Sequence, residues 1–176
     1  VFLPAILLLF VADVRGCVCD PTHPDTMPGR ECSLTLVTMG QGLASPVFFI
    51  KDSNPSKTNR LLAIPHSFHH TLDDMTAAER TAYWKAAIAK AHEVWGDDWG
   101  IAINSLAKRS QCQLHAHIGK LLATVDRSGG VLVERAEDIP VPPNGDGIWI
   151  HPEGAPNGSK LRVHVGDPSP ELGLMR

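Results

Sequence analysis

Gln111-Cys-Gln-Leu-His-Ala-His-Ile-Gly-Lys120 alternates with period two. Leu114, Ala116 and Ile118 fall on one side of an extended chain, and Gln113, His115 and His117 on the other. The alternation predicts a strand over 111–121 with an apolar back and a polar face. Alternate side chains on that face stand ~6.6–7 Å apart. The apolar back holds the strand in a core. The polar face must then line a cleft, because unpaired polar groups in a dry core are costly. Neutral imidazole is both a base and a nucleophile, and it titrates near neutral pH. Two such rings beside amides and hydroxyls suit attack at phosphorus, with N–H donors holding the developing negative charge. The same His-x-His pattern also fits two surface histidines on an edge strand, or metal ligands on a barrel strand. The barrel alternative needs a carboxylate shortly after the pair, and Ile118-Gly-Lys-Leu-Leu122 supplies none.

Outward from this strand, the chain reads as one α+β domain. Val47–Ile50 and Leu61–Ile64 are short strands joined by a polar, Pro-containing loop, which suggests an antiparallel pair. Thr76-Ala-Ala-Glu79 is a capping box. It opens a helix with Trp84, Ala87, Ile88, Ala91 and Trp95 on one stripe, ended by Gly96. That stripe reads as core packing against a sheet. Trp99–Ser105 is a strand leading to a polar loop, Leu106–Ser110. Val131–Val133 is a further strand. Ile148–Ile150 and Leu161–Val165 suggest a hairpin inside a Pro/Gly-rich C-terminal stretch. Residues 17–45 read as an irregular, Cys-containing lead-in, and 46–176 as the domain proper.

Composition narrows the function. The chain has 176 residues, 43% of them hydrophobic, and a net charge of −3. That fits a globular fold and argues against a nucleic-acid partner, which would need surplus Lys and Arg. Val1–Ala12 is apolar except for Pro4 and has the length of a signal h-region, so residues 1–16 read as an incomplete signal peptide and the protein as exported. Val14-Arg15-Gly16-Cys17 leaves two readings open, ordinary cleavage near Gly16 or lipidation of Cys17. In an oxidising compartment Cys17, Cys19, Cys32 and Cys112 suggest disulfides, with Cys32 paired to Cys17 or Cys19; a zinc site is the rival. Asn157-Gly-Ser159 is a glycosylation sequon.

The segments together resemble the histidine triad (HIT-like) superfamily over about Val47–Leu122. Phe49-Ile-Lys-Asp-Ser-Asn-Pro-Ser-Lys-Thr-Asn-Arg-Leu-Leu-Ala-Ile-Pro65 is similar to its two opening strands. Leu72-Asp-Asp-Met-Thr-Ala-Ala-Glu79 resembles its helix start. Trp99-Gly-Ile-Ala-Ile-Asn104 with the His-x-His strand resembles its active-site hairpin. Ala102–Ser105, Arg109-Ser-Gln111 and His115–Ile118 look most like the CDP-diacylglycerol pyrophosphatase branch.

The resemblance implies an antiparallel sheet packed with one long helix, and hydrolysis through a covalent nucleotidyl-histidine. It implies His115 as nucleophile and His117 as support for the phosphate and leaving group. Asn104, Ser110 and Gln111 match phosphate-contacting positions. Asp52 matches a ribose-binding acid, although Asp-Ser-Asn-Pro is also good turn chemistry. Phe49 and Ile50 match a base pocket. Gln113 stands where the first triad histidine belongs and can still hydrogen-bond. The family's zinc needs a C-x-x-C that Cys32-Ser-Leu-Thr35 breaks, and Arg60 and Gln113 occupy the matching histidine positions, so no metal or other cofactor is expected. The expected partner is a nucleotide-containing small molecule or nucleotide-lipid, with membrane association through substrate or N-terminus, and pairing as a homodimer. A non-catalytic nucleotide-binding domain is the alternative that Gln113 keeps open. His66, His69, His70, His151, His164, Lys120 and Arg109 are outlying candidates for metal or phosphate contact.

Overall fold

The computed structural model describes residues 13–41, 45–154 and 160–175. The sequon and the whole apolar N-terminal stretch Val1–Ala12 lie outside the described residues. The protein is α+β, with a seven-stranded antiparallel sheet, one main helix and several short helical turns. The strands are β1 (Val47–Lys51), β2 (Arg60–Pro65), β3 (Trp99–Ile103), β4 (Ala116–Lys120), β5 (Val131–Val133), β6 (Ile148–Glu153) and β7 (Lys160–Val165). Their spatial order is β1-β2-β4-β3-β6-β7-β5. The helices are α1 (Ser33–Met39) and α2 (Ala77–Trp95).

α2 forms where the capping box starts it. Thr76 Oγ1 accepts from the Glu79 N–H, and Glu79 Oε2 accepts from the Thr76 N–H. Gly96 ends the helix at φ 60°, a conformation that suits glycine. Trp84, Ala87 and Ala91 are buried against the sheet, with Ile88 and Trp95 packed at the margin. Tyr83 joins them, fully buried, its hydroxyl donating to the Ala63 carbonyl on β2.

The strand register sorts the sheet into two faces. Leu61, Ile118, Ile101, Ile150 and Val163 are successive cross-strand partners on the α2 face. Ile50, Leu62, His117, Ala102, Trp149 and His164 form the corresponding row on the opposite face. Among the described residues, that second face carries no long helix. α1 covers its β1–β2 end through Leu34, beside Leu62 and Ile64. The C-terminal turn Pro170–Gly173 and Leu174 cover its centre, beside Ala102, Leu121 and Trp149.

Two sequence readings need correction. The strand expected over 111–121 is regular only from Ala116 to Lys120. Upstream, the Cys112 N–H donates to the Glu31 carbonyl and the Leu114 N–H to the His69 carbonyl, so this stretch bonds to two loops and leaves the ladder. The lead-in read as irregular contains α1. No side chain of its own caps it. Gln111 Oε1 instead accepts from Ser33 Oγ and the Leu34 N–H. A cap borrowed from so far along the chain leaves no local signature. The disulfides are Cys19–Cys32, one of the two pairings foreseen, and Cys17–Cys112, which was not. The second ties the lead-in to the residue just before Gln113. No helix among the described residues is long and apolar enough to cross a membrane.

Candidate functional site

A cleft of about 360 Å³ opens on the sheet face opposite α2. β4 presents His117 to it, and the stretch leading into β4 presents His115. Asn104 comes from the end of β3, Asp52 and Lys57 from the β1–β2 loop, and Glu171 from the C-terminal turn. Leu34 and Val37 of α1 face Ile50 and Leu62 across an apolar wall of the same cleft.

His115 is 6% exposed. Its Nδ1 lies 2.9 Å from the Gln113 carbonyl oxygen. A carbonyl only accepts, so Nδ1 bears the hydrogen and Nε2 keeps its lone pair. No hydrogen bond among the described residues engages that Nε2. Burial, reinforced by the neighbouring His117, pushes the ring's pKa down to about 3. His115 is therefore neutral at pH 7, with an open lone pair in a cleft. The His117 ring stands edge-on to it, with centroids 5.1 Å apart.

His117 lies between two carboxylates. Its Nδ1 is 3.3 Å from Asp52 Oδ2, and its Nε2 is 3.5 Å from Glu171 Oε2. Burial raises the Asp52 carboxyl, but His117 and the Asn54 N–H outweigh it and hold it below its usual value. Glu171 accepts from Lys57 Nζ at 2.5 Å, Arg60 Nη1 at 2.8 Å and Asn104 Nδ2 at 3.0 Å. Burial alone would raise Glu171; His117, Lys57 and Asn104 pull it down to about 2. Glu171 carries no sequence signal. It is one acid in a Pro-rich tail, and only the docking of that tail brings it here.

The candidates separate as follows. His115, His117, Asn104, Asp52, Ser110, Gln111 and Ile50 all border the cleft. Gln111 has its amide committed, since Nε2 donates to the Arg30 carbonyl while Oε1 caps α1. Gln113 does not border the cleft. It is fully buried and its Nε2 donates to the Pro65 and Ser67 carbonyls, which the end of β2 would otherwise leave unpaired. Phe49 is on the α2 side, packed with the main core, because period two puts it opposite Ile50.

Of the outlying candidates, Arg109 borders the cleft and is 3% exposed. Its Nη2 donates to the His70 carbonyl, while Nε and Nη1 are buried without a hydrogen bond. Burial lowers its pKa to about 10, so it is a cation at pH 7. Lys120 is exposed and paired with Asp98. His66, His69, His70, His151 and His164 do not border the cleft. Among the described residues, three potential metal ligands converge at Cys17, Cys19 and Cys112, whose sulfurs are joined in disulfides.

The arrangement provides a neutral ring with a free lone pair, a second ring held between Asp52 and Glu171, and the cations Arg30, Lys57, Lys108 and Arg109 along the cleft. It suits a phosphorus centre next to an apolar group. No family model, curated protein or solved structure matches the chain.

Proposed function

We propose that the protein is a HIT-like hydrolase that cleaves a nucleotide phosphoanhydride or phosphoester through a covalent nucleotidyl-His115. One observation carries this reading: His115 donates from Nδ1 to the Gln113 carbonyl and leaves Nε2 unengaged in the cleft. In the first step the Nε2 lone pair bonds phosphorus. The P–O bond to the leaving group breaks with its electron pair, and that oxygen takes a proton from His117 Nε2. In the second step water bonds phosphorus, the P–N bond returns its electrons to His115, and a water proton passes to His117 Nε2.

Lys57, Lys108, Arg109 and Arg30 border the cleft and favour a multiply charged phosphate. The Leu34, Val37, Ile50 and Leu62 wall offers room for a base or another apolar group. CDP-diacylglycerol is the candidate substrate, giving CMP and phosphatidate. The two disulfides are compatible with an exported protein.

The test pairs hydrolysis with binding over CDP and ADP conjugates, CDP-diacylglycerol included. Turnover with a trapped enzyme–nucleotide adduct is expected in the wild type, and neither in His115→Ala. Nucleotide binding without turnover in the wild type would mean a binding domain. Full activity in His115→Ala would refute the nucleophile.

A further inference from the structure

The C-terminal turn reaches the cleft as a fixed part of the fold. Arg60, with its side chain 1% exposed, donates from Nε to the Met175 carbonyl and from Nη2 to the Leu174 carbonyl. The Met175 N–H donates to the Lys120 carbonyl, and the Leu122 N–H to the Gly173 carbonyl. Gly100 lets the tail lie close to β3, since a Cβ there would stand 2.9 Å from Leu174 Cδ2. Asn104 grips Glu171 twice, donating to Oε1 and accepting from its backbone N–H. The carboxylate is therefore held at backbone and side chain.

Across the ring, Asp52 is fixed by the Asn54 N–H on Oδ1. Its Oδ2 is buried without an aligned hydrogen bond and lies against His117 Nδ1. Nδ1 is buried in the same way. The resemblance gave Asp52 to a ribose, but here the carboxylate is turned to the second histidine. Gln113, in the place of the first triad histidine, is engaged elsewhere. The support for His117 comes instead from two acids distant in sequence.

We infer that Asp52 and Glu171 are positioning residues for His117, Asp52 keeping a proton on Nδ1 and Glu171 favouring the proton on Nε2 that the leaving-group oxygen takes. The inference rests on the hydrolase reading and assigns the proton transfer within it. The charged and titratable groups around the ring are Asp52 and Lys57 of the β1–β2 loop, Arg60 of β2, and Glu171 of the tail. His115 stands beside it, and Arg30, Lys108 and Arg109 border the same cleft. Asp52 faces Nδ1 and Glu171 faces Nε2, so each carboxylate favours a hydrogen on the nitrogen it faces, and removing one acid removes that preference.

The test uses the intact protein and the variants Glu171→Gln and Asp52→Asn. Rates are followed against pH on whichever CDP or ADP conjugate the wild type turns over fastest. Each variant should lose about ten- to a hundredfold in kcat with KM within about twofold. The alkaline limb of kcat/KM should move down by about one pH unit. Glu171→Asp should recover part of that shift. In parallel, ¹⁵N NMR of the histidine rings at pH 8 reads the tautomer. The wild type should show His117 with its hydrogen on Nδ1, and Asp52→Asn should lose that preference. Variants that melt earlier yet keep the wild-type pH limb and tautomer would show a merely structural role and overturn the inference. If Glu171→Gln does not fold, Asp52→Asn decides. If no conjugate is hydrolysed, the hydrolase reading fails on its own, and an unchanged tautomer in Asp52→Asn separately overturns this one.

Discussion

Two pairs of histidines stand on the same face of the sheet, and they are built for different ends. His115 and His117 border a cleft ringed by Lys57, Arg109, Asp52 and Glu171. His151 and His164 lie toward the far edge, past Ala102 and Trp149 in the register. Trp149 stacks on His164 with centroids 3.9 Å apart and planes at 7°. His151 Nδ1 donates to the Pro152 carbonyl, and its Nε2 lies 3.4 Å from His164 Nε2. Burial lowers the pKa of both rings. In the first pair the neutral ring's Nε2 is left to the cleft. In the second the two Nε2 atoms face each other under an indole. Neutral imidazole is common to both; what differs is whether its lone pair meets a ligand-sized space or another protein atom.

The sharpest way to break this comparison is to remove one ring from each pair. His115→Ala should lower turnover at least about a thousandfold, equivalent to about 4 kcal/mol of barrier. His164→Ala should leave turnover within about twofold. Comparable losses in both would mean that the second pair also serves the reaction, and a steady-state assay reads this directly.

The tail reaches the first pair directly, through Glu171 beside His117. Arg60→Leu removes three hydrogen bonds to it and leaves the Glu171 carboxylate without its buried guanidinium. A stability loss of about 3–5 kcal/mol is expected in urea unfolding. A loss below about 1 kcal/mol would mean that the tail is not part of the folded unit.

Acid sharpens the comparison further. The folded pKa of His115 lies near 3 against an ordinary 6.5, so the unfolded chain takes up the proton first as pH falls. Stability is therefore full above about pH 6.5 and declines as pH drops toward 3. Between pH 6.5 and 4.5 this one ring should account for about 2–3 kcal/mol. His115→Gln should remove most of that slope, as urea midpoints at several pH values would show. His151 and His164 shift in the same direction and should leave a smaller residual slope.

The smallest effect belongs to the stacked pair. His164→Ala should cost about 1 kcal/mol through the lost Trp149 contact, read as a lower Tm. No change in Tm would make the stack incidental.

Much of this was legible from residues 47–122. The capping box, the stripe on α2 and the strand pair β1–β2 are local patterns, and local hydrogen bonding and packing suffice to realise them. Ile50 was legible for the site because it borders the cleft; Phe49 was misplaced because adjacent strand residues face opposite ways. Gln113 was read onto the cleft face because the alternation was carried too far upstream. The Pro65 and Ser67 carbonyls needed a donor, and Cys112 was tied to Cys17, so the strand could not continue there. α1 was invisible because its cap is Gln111.

The amino-acid sequence by itself determined the α+β class, the long helix, and a strand that places an imidazole opposite an apolar back. Periodicity and capping act over a few residues, and a sequence displays them directly. Only the tertiary structure decided that Glu171 joins His117, that Asp52 turns toward that ring, and that His115 presents Nε2 to the cleft. Those outcomes depend on Arg60 gripping the tail carbonyls and on the Gln113 carbonyl accepting from Nδ1, contacts that exist only once the sheet has brought distant segments within bonding distance.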